Sequence, residues 1–323
     1  MIEIQLPLDT AAKEHLYKMG FLGKDEQIIE TEKAGEGNMN VVLRIKTNKA
    51  NTFILKQSRP YVQKYPQIAA PQERILTELA YFEAIKGHVI LENFSPKIIA
   101  SDPTNFLIVM SDLGSAADFM GIYSQPETLH VQQITQLMQY LSALHSLEIK
   151  EFVPNTAMKA LNHEHIFNFP FDKNNNFDLD TVQIGLKEIG EAFKNDKLLK
   201  LKIELLGEKY LEKANYLLHG DFYPGSFLNA ASGLKVIDPE FGFMGDREFD
   251  LGVLKAHLLL SRNTQADMFL DTYTLELNES LLNAYAGVEI LRRILGIAQL
   301  PLNLDISAKK QLCNLAKRMI EVY

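Results

Sequence analysis

Two short apolar runs, each ending in a loop that carries acids, constrain this chain more than any other feature. The first is Leu217-Leu218-His219-Gly220-Asp221-Phe222-Tyr223-Pro224-Gly225-Ser226, and the second is Val236-Ile237-Asp238-Pro239-Glu240-Phe241. In Asp238-x-Glu240 the carboxylates stand two residues apart, and on an extended chain that spacing points both to one side. Two hard oxygen ligands on one side suit Mg²⁺ carrying a nucleotide's phosphates. Asp221 can orient an attacking hydroxyl and accept its proton, as a catalytic-loop aspartate does in phosphoryl transfer. A lone aspartate is as readily a turn residue or a helix cap. The weight lies in both motifs occurring in this order, behind a meander that carries a lysine.

That meander fills the first third of the chain. A short helix is predicted over residues 11–19, ended at Gly20. Strands are predicted over 28–34, 41–46 and 52–57, separated by the turn-rich Gly35-Glu36-Gly37-Asn38-Met39-Asn40 and a polar turn at 47–51. Ile75, Leu79 and Phe82 fall on one face of a helix over 71–86. Strands 97–101 and 106–110 flank the turn Asp102-Pro103-Thr104-Asn105. Beyond Ser111-Asp112-Leu113-Gly114 the pattern turns helical, over 128–147, 182–193, 197–214, 251–260, 277–295 and 307–322. The polar stretch 155–180 reads as an irregular loop. These patterns predict an α+β chain with a lobe at 1–112, mostly antiparallel sheet plus one helix, and a larger helical lobe at 113–323.

The length of 323 residues suits two domains, and 46% apolar residues can supply a core in each. A net charge of -8 with interspersed signs argues against nonspecific binding to nucleic acid or an anionic membrane. The single cysteine, Cys313, excludes an intrachain disulfide and sits in an apolar-periodic run that reads as core. The first residues lack a basic segment and apolar core, and no apolar stretch is long enough to span a bilayer. A cytoplasmic location is expected. His163-Glu164-His165 lacks further ligands at metal spacing, and His145 reads as a packed helix-end residue.

His219-Gly220-Asp221 followed by Asp238-Pro239-Glu240 resembles the aminoglycoside phosphotransferase and choline kinase superfamily, and most of all the 5-methylthioribose kinases. The resemblance extends over Gly37-Asn38-Met39-Asn40, Lys56-Gln57, Pro60-Tyr61-Val62, Gly225-Ser226, Asp238–Phe241, Phe249–Gly252, and Arg292, Arg293, Gly296 and Ala298. The chain has Phe222-Tyr223-Pro224 where that family has Leu-His-Thr, and Gly245-Asp246-Arg247-Glu248 where it has Gly-Pro-Met-Gly.

The resemblance implies a protein-kinase-like, two-lobed fold binding ATP and Mg²⁺ between its lobes and transferring the γ-phosphoryl group to a hydroxyl of a small sugar. Holding ATP would use Gly35, Gly37, Asn38 and Asn40 over the phosphates, Lys56 on phosphate oxygens, and the backbone of Met110 and Asp112 against adenine. Lys56 needs a glutamate from the following helix. Glu73 and Glu78 are candidates, and the family pattern favours Glu78. Asp221 is the expected catalytic residue, and Asp238 and Glu240 are the expected metal ligands. By resemblance, Ser226 joins the nucleotide set, His219 and Asp250 support the catalytic loop, and Arg292 and Arg293 meet the acceptor. Adjacent residues on a helix diverge by ~100°, so two arginines share a ligand only near a helix end or across a crevice. A kinase for another alcohol (an aminoglycoside, choline or homoserine) and a nucleotide-binding pseudokinase remain alternatives, and a homodimer is left open.

Overall fold

The computed structural model describes residues 2–35 and 39–323, and the chain divides into two units: 1–116 with 230–241, and 117–229 with 242–323. In the first, α1 (Thr10–Lys18) is capped by Asp9, whose carboxylate accepts from Ala12 N–H at 2.7 Å. Strands β1 (Ile28–Lys33), β2 (Asn40–Thr47) and β3 (Thr52–Ser58) follow, then a small hairpin of β4 (Tyr61–Val62) and β5 (Tyr65–Ala69). Helices α2 (Arg74–Ala84) and α3 (Val89–Phe94) precede β6 (Ile98–Asp102) and β7 (Leu107–Ser111). The main sheet has the order β1-β2-β3-β7-β6, with every neighbour antiparallel.

The two-residue period of these strands decides what each face meets. Leu43 and Ile45 of β2, Leu55 of β3, and Leu107 and Val109 of β7 form one core with Ile4, Leu8, Ala12 and Leu16 from the N-terminal segment and α1. Lys56, next to Leu55, points to the opposite face, where α2 supplies its partner. Backbone and side-chain bonds pin the N-terminal segment to the sheet. Gln57 accepts from Ile4 N–H at 2.8 Å and donates to the Ile2 carbonyl at 2.8 Å, and Arg59 donates to the Ile4 carbonyl at 2.7 Å.

The second unit is mainly helical. It starts with β8 (Ala117–Asp118) and α4 (Val131–His145), then α5 (Thr156–His163), α6 (Leu186–Asn195) and α7 (Lys197–Leu211). Strand β9 (Tyr216–Leu218) leads into the first acidic loop, and β10 (Phe227–Ala230) leaves it. After β11 (Gly233–Val236), part of the first unit, β12 (Phe243–Gly245) pairs antiparallel with β9. The helices α8 (Glu248–Leu260), α9 (Glu279–Leu295) and α10 (Ile306–Glu321) complete the chain. α8 is apolar nearly all round, with Leu251, Val253, Leu254, Ala256, Leu258 and Leu260 buried, as befits a helix enclosed by others. Among the described residues no helix is long and apolar enough to cross a membrane.

One expectation fails. Residues 155–180 are not a continuous irregular loop: α5 occupies Thr156–His163 and runs on through a π-helical turn at Glu164–Asn168. Only a few apolar side chains hold this segment, among them the buried Met158, Ile166 and Phe167. Asparagines and acids between them hide the helical period from a reading of composition.

Candidate functional site

In the first unit, Lys56 is the centre of a buried charge cluster. Its Nζ lies 2.5 Å from Glu78 Oε2 and 2.6 Å from Asp238 Oδ1. Of the two glutamates that could meet this lysine, Glu78 does so, while Glu73 sits at the N-cap of α2. Burial disfavours the charged lysine, but the carboxylates of Asp238, Glu78 and Glu240 outweigh it and raise its pKa. Glu78 moves the other way from an ordinary ion-pair carboxylate. Burial pushes it up, Lys56 pulls it down, and Asp238 and Glu240 add to the upward push.

The two carboxylates of Asp238-x-Glu240 occupy different environments. Asp238 takes φ 62°, a left-handed conformation that costs most residues energy and that aspartate tolerates better. Its side chain is 47% exposed, with Lys56 on one oxygen. Glu240 is buried, accepting from Asn40 Nδ2 at 2.7 Å and lying 3.3 Å from Arg74 Nε. Arg74 is itself fully buried, and it also donates to Asn40 Oδ1 and to the carbonyls of Arg59, Pro71 and Met39. Sequence reading missed Arg74, since an arginine opening a helix carries no signal of its own.

Asp238 is the exposed member of this cluster of three carboxylates and two cations. That donor chemistry fits a divalent cation. Asp238 would be the direct ligand, and Glu240 would hold Asn40 and Arg74 in place beside it.

The glycine loop is described only at its ends, and Gly37 and Asn38 lie outside the described residues. Next to those ends, a hollow of about 320 Å³ is lined by Gly35, Asn40 and Val42, with Lys33 and Lys64 on its walls. Met110 lies next to the end of β7 with its side chain buried, paired in register with Ile54. Asp112 grips Arg44 through two bonds, 2.7 Å to Nε and 3.1 Å to Nη2, and accepts from Gly114 N–H at 2.9 Å. Burial raises its pKa and those bonds lower it, with a net fall. The Asp112 side chain is therefore a brace.

In the second unit, Asp250 organises the loop after β9. It lies in the first turn of α8 rather than at its N-cap, which is Arg247. Its fully buried carboxylate accepts from His219 N–H at 2.7 Å and Gly220 N–H at 3.0 Å. Gly220 turns the chain at φ 82°, where a side chain would be strained. The Gly220 carbonyl accepts from Asn162, and Ser226 Oγ donates to the Asp221 carbonyl at 2.9 Å. Ser226 is therefore a strut for the loop.

Asp221, so held, keeps its side chain 21% exposed, 3.6 Å from Arg293 Nη2. Burial raises its pKa, Arg293 and Arg292 lower it, and the net shift is upward. Both arginines lie in the last turn of α9 with side chains only 10% and 8% exposed. Glu289, one turn earlier, meets both. Its Oε2 is 3.1 Å from Arg292 Nη1 and its Oε1 is 2.5 Å from Arg293 Nε. The Arg293 guanidinium also lies 5.0 Å from the centre of the Tyr223 ring. Glu289 and Tyr223 were not singled out from sequence, although a glutamate at i−3 and i−4 from paired arginines is a readable sign.

An antiparallel sheet with a buried Lys56–Glu78 pair, and a helical unit whose aspartate loop hangs on the first turn of a buried helix, together make the α+β, protein-kinase-like fold. The chain belongs to the APH phosphotransferase enzyme family, whose model matches residues 30–286. The methylthioribose kinase of Pectobacterium atrosepticum is 28% identical over 265 residues, which cover 77% of this chain and 64% of that protein. The methylthioribose kinase of Klebsiella pneumoniae is 29% identical over 275 residues, covering 78% and 66%. The chain thus matches just under two thirds of the length of these relatives. Among solved structures, choline kinase LicA from Streptococcus pneumoniae superposes with a TM-score of 0.55 at 15% identity, covering 98% of this chain and all of that one. The ADP-bound aminoglycoside phosphotransferase APH(2'')-Ib gives 0.53 at 15% identity, covering 97% and 99%.

Proposed function

We propose that the protein is an ATP- and Mg²⁺-dependent small-molecule kinase that transfers the γ-phosphoryl group to a hydroxyl of a neutral sugar of the methylthioribose type. In the first unit, Lys56, held by Glu78, meets phosphate oxygens, and Asp238 offers a carboxylate to the metal. Mg²⁺ would neutralise phosphate charge as the group transfers. In the second unit, Asp221 orients the acceptor hydroxyl and takes its proton.

The observation that carries the acceptor assignment is the placement of Arg293 at 3.6 Å from Asp221, with both arginines withdrawn from solvent. A solvated helix face would leave them in water. A guanidinium offers five donors in a planar fork, suited to vicinal sugar oxygens. Its charge also disfavours a cationic acceptor such as choline or an aminoglycoside. The relatives named methylthioribose kinase support the same class of acceptor.

A screen that follows ADP formation with methylthioribose, ribose, choline and aminoglycosides tests this reading. Methylthioribose should give the highest kcat/KM and require Mg²⁺. Preference for a polycationic aminoglycoside would overturn the sugar assignment, and ADP formation with none of them would overturn the kinase assignment for these acceptors.

A further inference from the structure

Two arginines adjacent on one helix point ~100° apart by default, yet here both bend to one side. Glu289 stands at i−3 from Arg292 and i−4 from Arg293, the two spacings that share a helix face. It divides its oxygens between them, Oε2 to Arg292 and Oε1 to Arg293. Behind Glu289, His257 of α8 places Nε2 at 3.2 Å from the same Oε1, and its Nδ1 is 2.5 Å from the Tyr123 hydroxyl. His257 is fully buried and Glu289 nearly so, at 0% and 1% exposure.

We propose that Glu289 is the positioning residue for the acceptor site, acting through Arg292 and Arg293, and that His257 with Tyr123 behind it fixes the Glu289 carboxylate. The inference rests on the reading of Asp221 and the arginine pair as the acceptor site.

The chemistry of the chain of contacts has one consistent solution. Burial disfavours the Glu289 carboxylate, but Arg292, Arg293 and His257 outweigh it and hold it well below the usual range. It therefore only accepts. Burial, with the arginines opposing the pull of Glu289, lowers His257 to about 4, so the ring is neutral at neutral pH. Its single proton must then sit on Nε2 to donate to Glu289, and Nδ1 accepts from Tyr123. One carboxylate facing two guanidiniums leaves one positive charge at the C-terminal end of α9 to face Asp221.

The test compares wild type with Glu289→Gln, Glu289→Asp and His257→Leu, using methylthioribose as acceptor and phenylglyoxal labelling of arginines read by mass spectrometry. Glu289→Gln should lower kcat/KM for the acceptor by about tenfold or more, the loss that one charge-assisted bond implies, with KM for MgATP within about twofold. Glu289→Asp should recover part of that loss. His257→Leu, which leaves the ion pairs formed, should fall between, and it carries the test if Glu289→Gln does not fold. Arg292 and Arg293 should be protected from phenylglyoxal in wild type and reactive in Glu289→Gln. A folded Glu289→Gln with wild-type acceptor kinetics and protected arginines would overturn the proposal, as would an equal loss towards ATP and acceptor. If wild type does not phosphorylate methylthioribose, the acceptor assignment fails by itself. The labelling then decides the role of Glu289: reactive arginines in the variant support it and protected ones overturn it.

Discussion

Lys56 and Glu78 meet at 2.5 Å with side chains only 2% and 1% exposed, so their attraction acts almost out of reach of water. Removing one partner of such a pair typically costs about 3–5 kcal/mol, because the other is left buried without compensation. Lys56→Met should therefore lower stability by roughly that amount and abolish measurable ATP binding. Lys56→Met with Glu78→Gln should recover part of the stability and none of the binding. Urea denaturation and nucleotide calorimetry read the two quantities separately. Full ATP affinity in folded Lys56→Met would remove this lysine from the nucleotide site.

Asp238 and Glu240 should separate in their effects, because one is half exposed and the other is clamped between Asn40 and Arg74. Asp238→Asn keeps a residue that tolerates φ 62°. It should lower the melting temperature less than Glu240→Ala does, because Lys56 keeps Glu78 as a partner, and remove most of the Mg²⁺ enhancement of ATP affinity. Glu240→Ala strips the partner from buried Arg74, so it should destabilise by a few kcal/mol, within the ~3–5 typical of a broken buried pair. Thermal melts and ATP titrations with and without Mg²⁺ distinguish them. Equal Mg²⁺ enhancement in Asp238→Asn and wild type would exclude Asp238 as a ligand.

Asp221 gives the pH dependence its sign. Burial raises its pKa and the arginines restrain the rise, leaving it above the ordinary aspartate value. If Asp221 takes the acceptor proton as proposed, activity needs its ionised form, so the acid limb of kcat/KM should lie above that value and turnover should fall as pH drops through it. Arg293→Met removes the larger restraint and should move the limb to higher pH. Asp221→Asn should cut turnover by about 10²–10⁴-fold at every pH while ATP still binds. A limb that stays put in Arg293→Met would mean that another group controls it.

Much of the first unit was legible because its strands alternate and its turns carry Gly, Asn and Asp. Lys56 could be placed on a strand within Phe53–Gln57, but its burial was not legible, because the strand period puts it on the face opposite core residue Leu55. His257, Tyr123 and Arg74 were not legible, for a common reason. Each draws its role from a partner on another element, more than a hundred residues away for Tyr123 and His257, and nothing local marks it. Asp250 shows the intermediate case. An aspartate near a helix start reads as a cap from local pattern, the family resemblance implies that it braces the loop, and its bonds to His219 N–H and Gly220 N–H are what it makes there. The segment 155–180 misled because its polar composition outweighed a helix held by few apolar contacts.

Gly252 joins the packing of α8 to the Glu289 cluster on α9. A Cβ there would meet Tyr285 Cβ at 2.8 Å, the Leu282 carbonyl oxygen at 2.9 Å and Ala286 N at 3.0 Å, so α8 and α9 touch backbone to side chain at this point. None of these neighbours is the far end of a flexible side chain, so a methyl group can be fitted only by moving the helices apart. Overpacking of this kind typically costs about 1–3 kcal/mol. His257 lies on α8 five residues after Gly252, and Glu289 lies on α9 four residues after Tyr285, so separation of the helices should lengthen the His257–Glu289 bond as well. Gly252→Ala should therefore lower the unfolding free energy by about 1–3 kcal/mol and raise the acceptor KM more than the MgATP KM. Chemical denaturation gives the first quantity and steady-state kinetics the second. If the variant is destabilised with both KM values unchanged, the spacing of α8 and α9 serves stability alone.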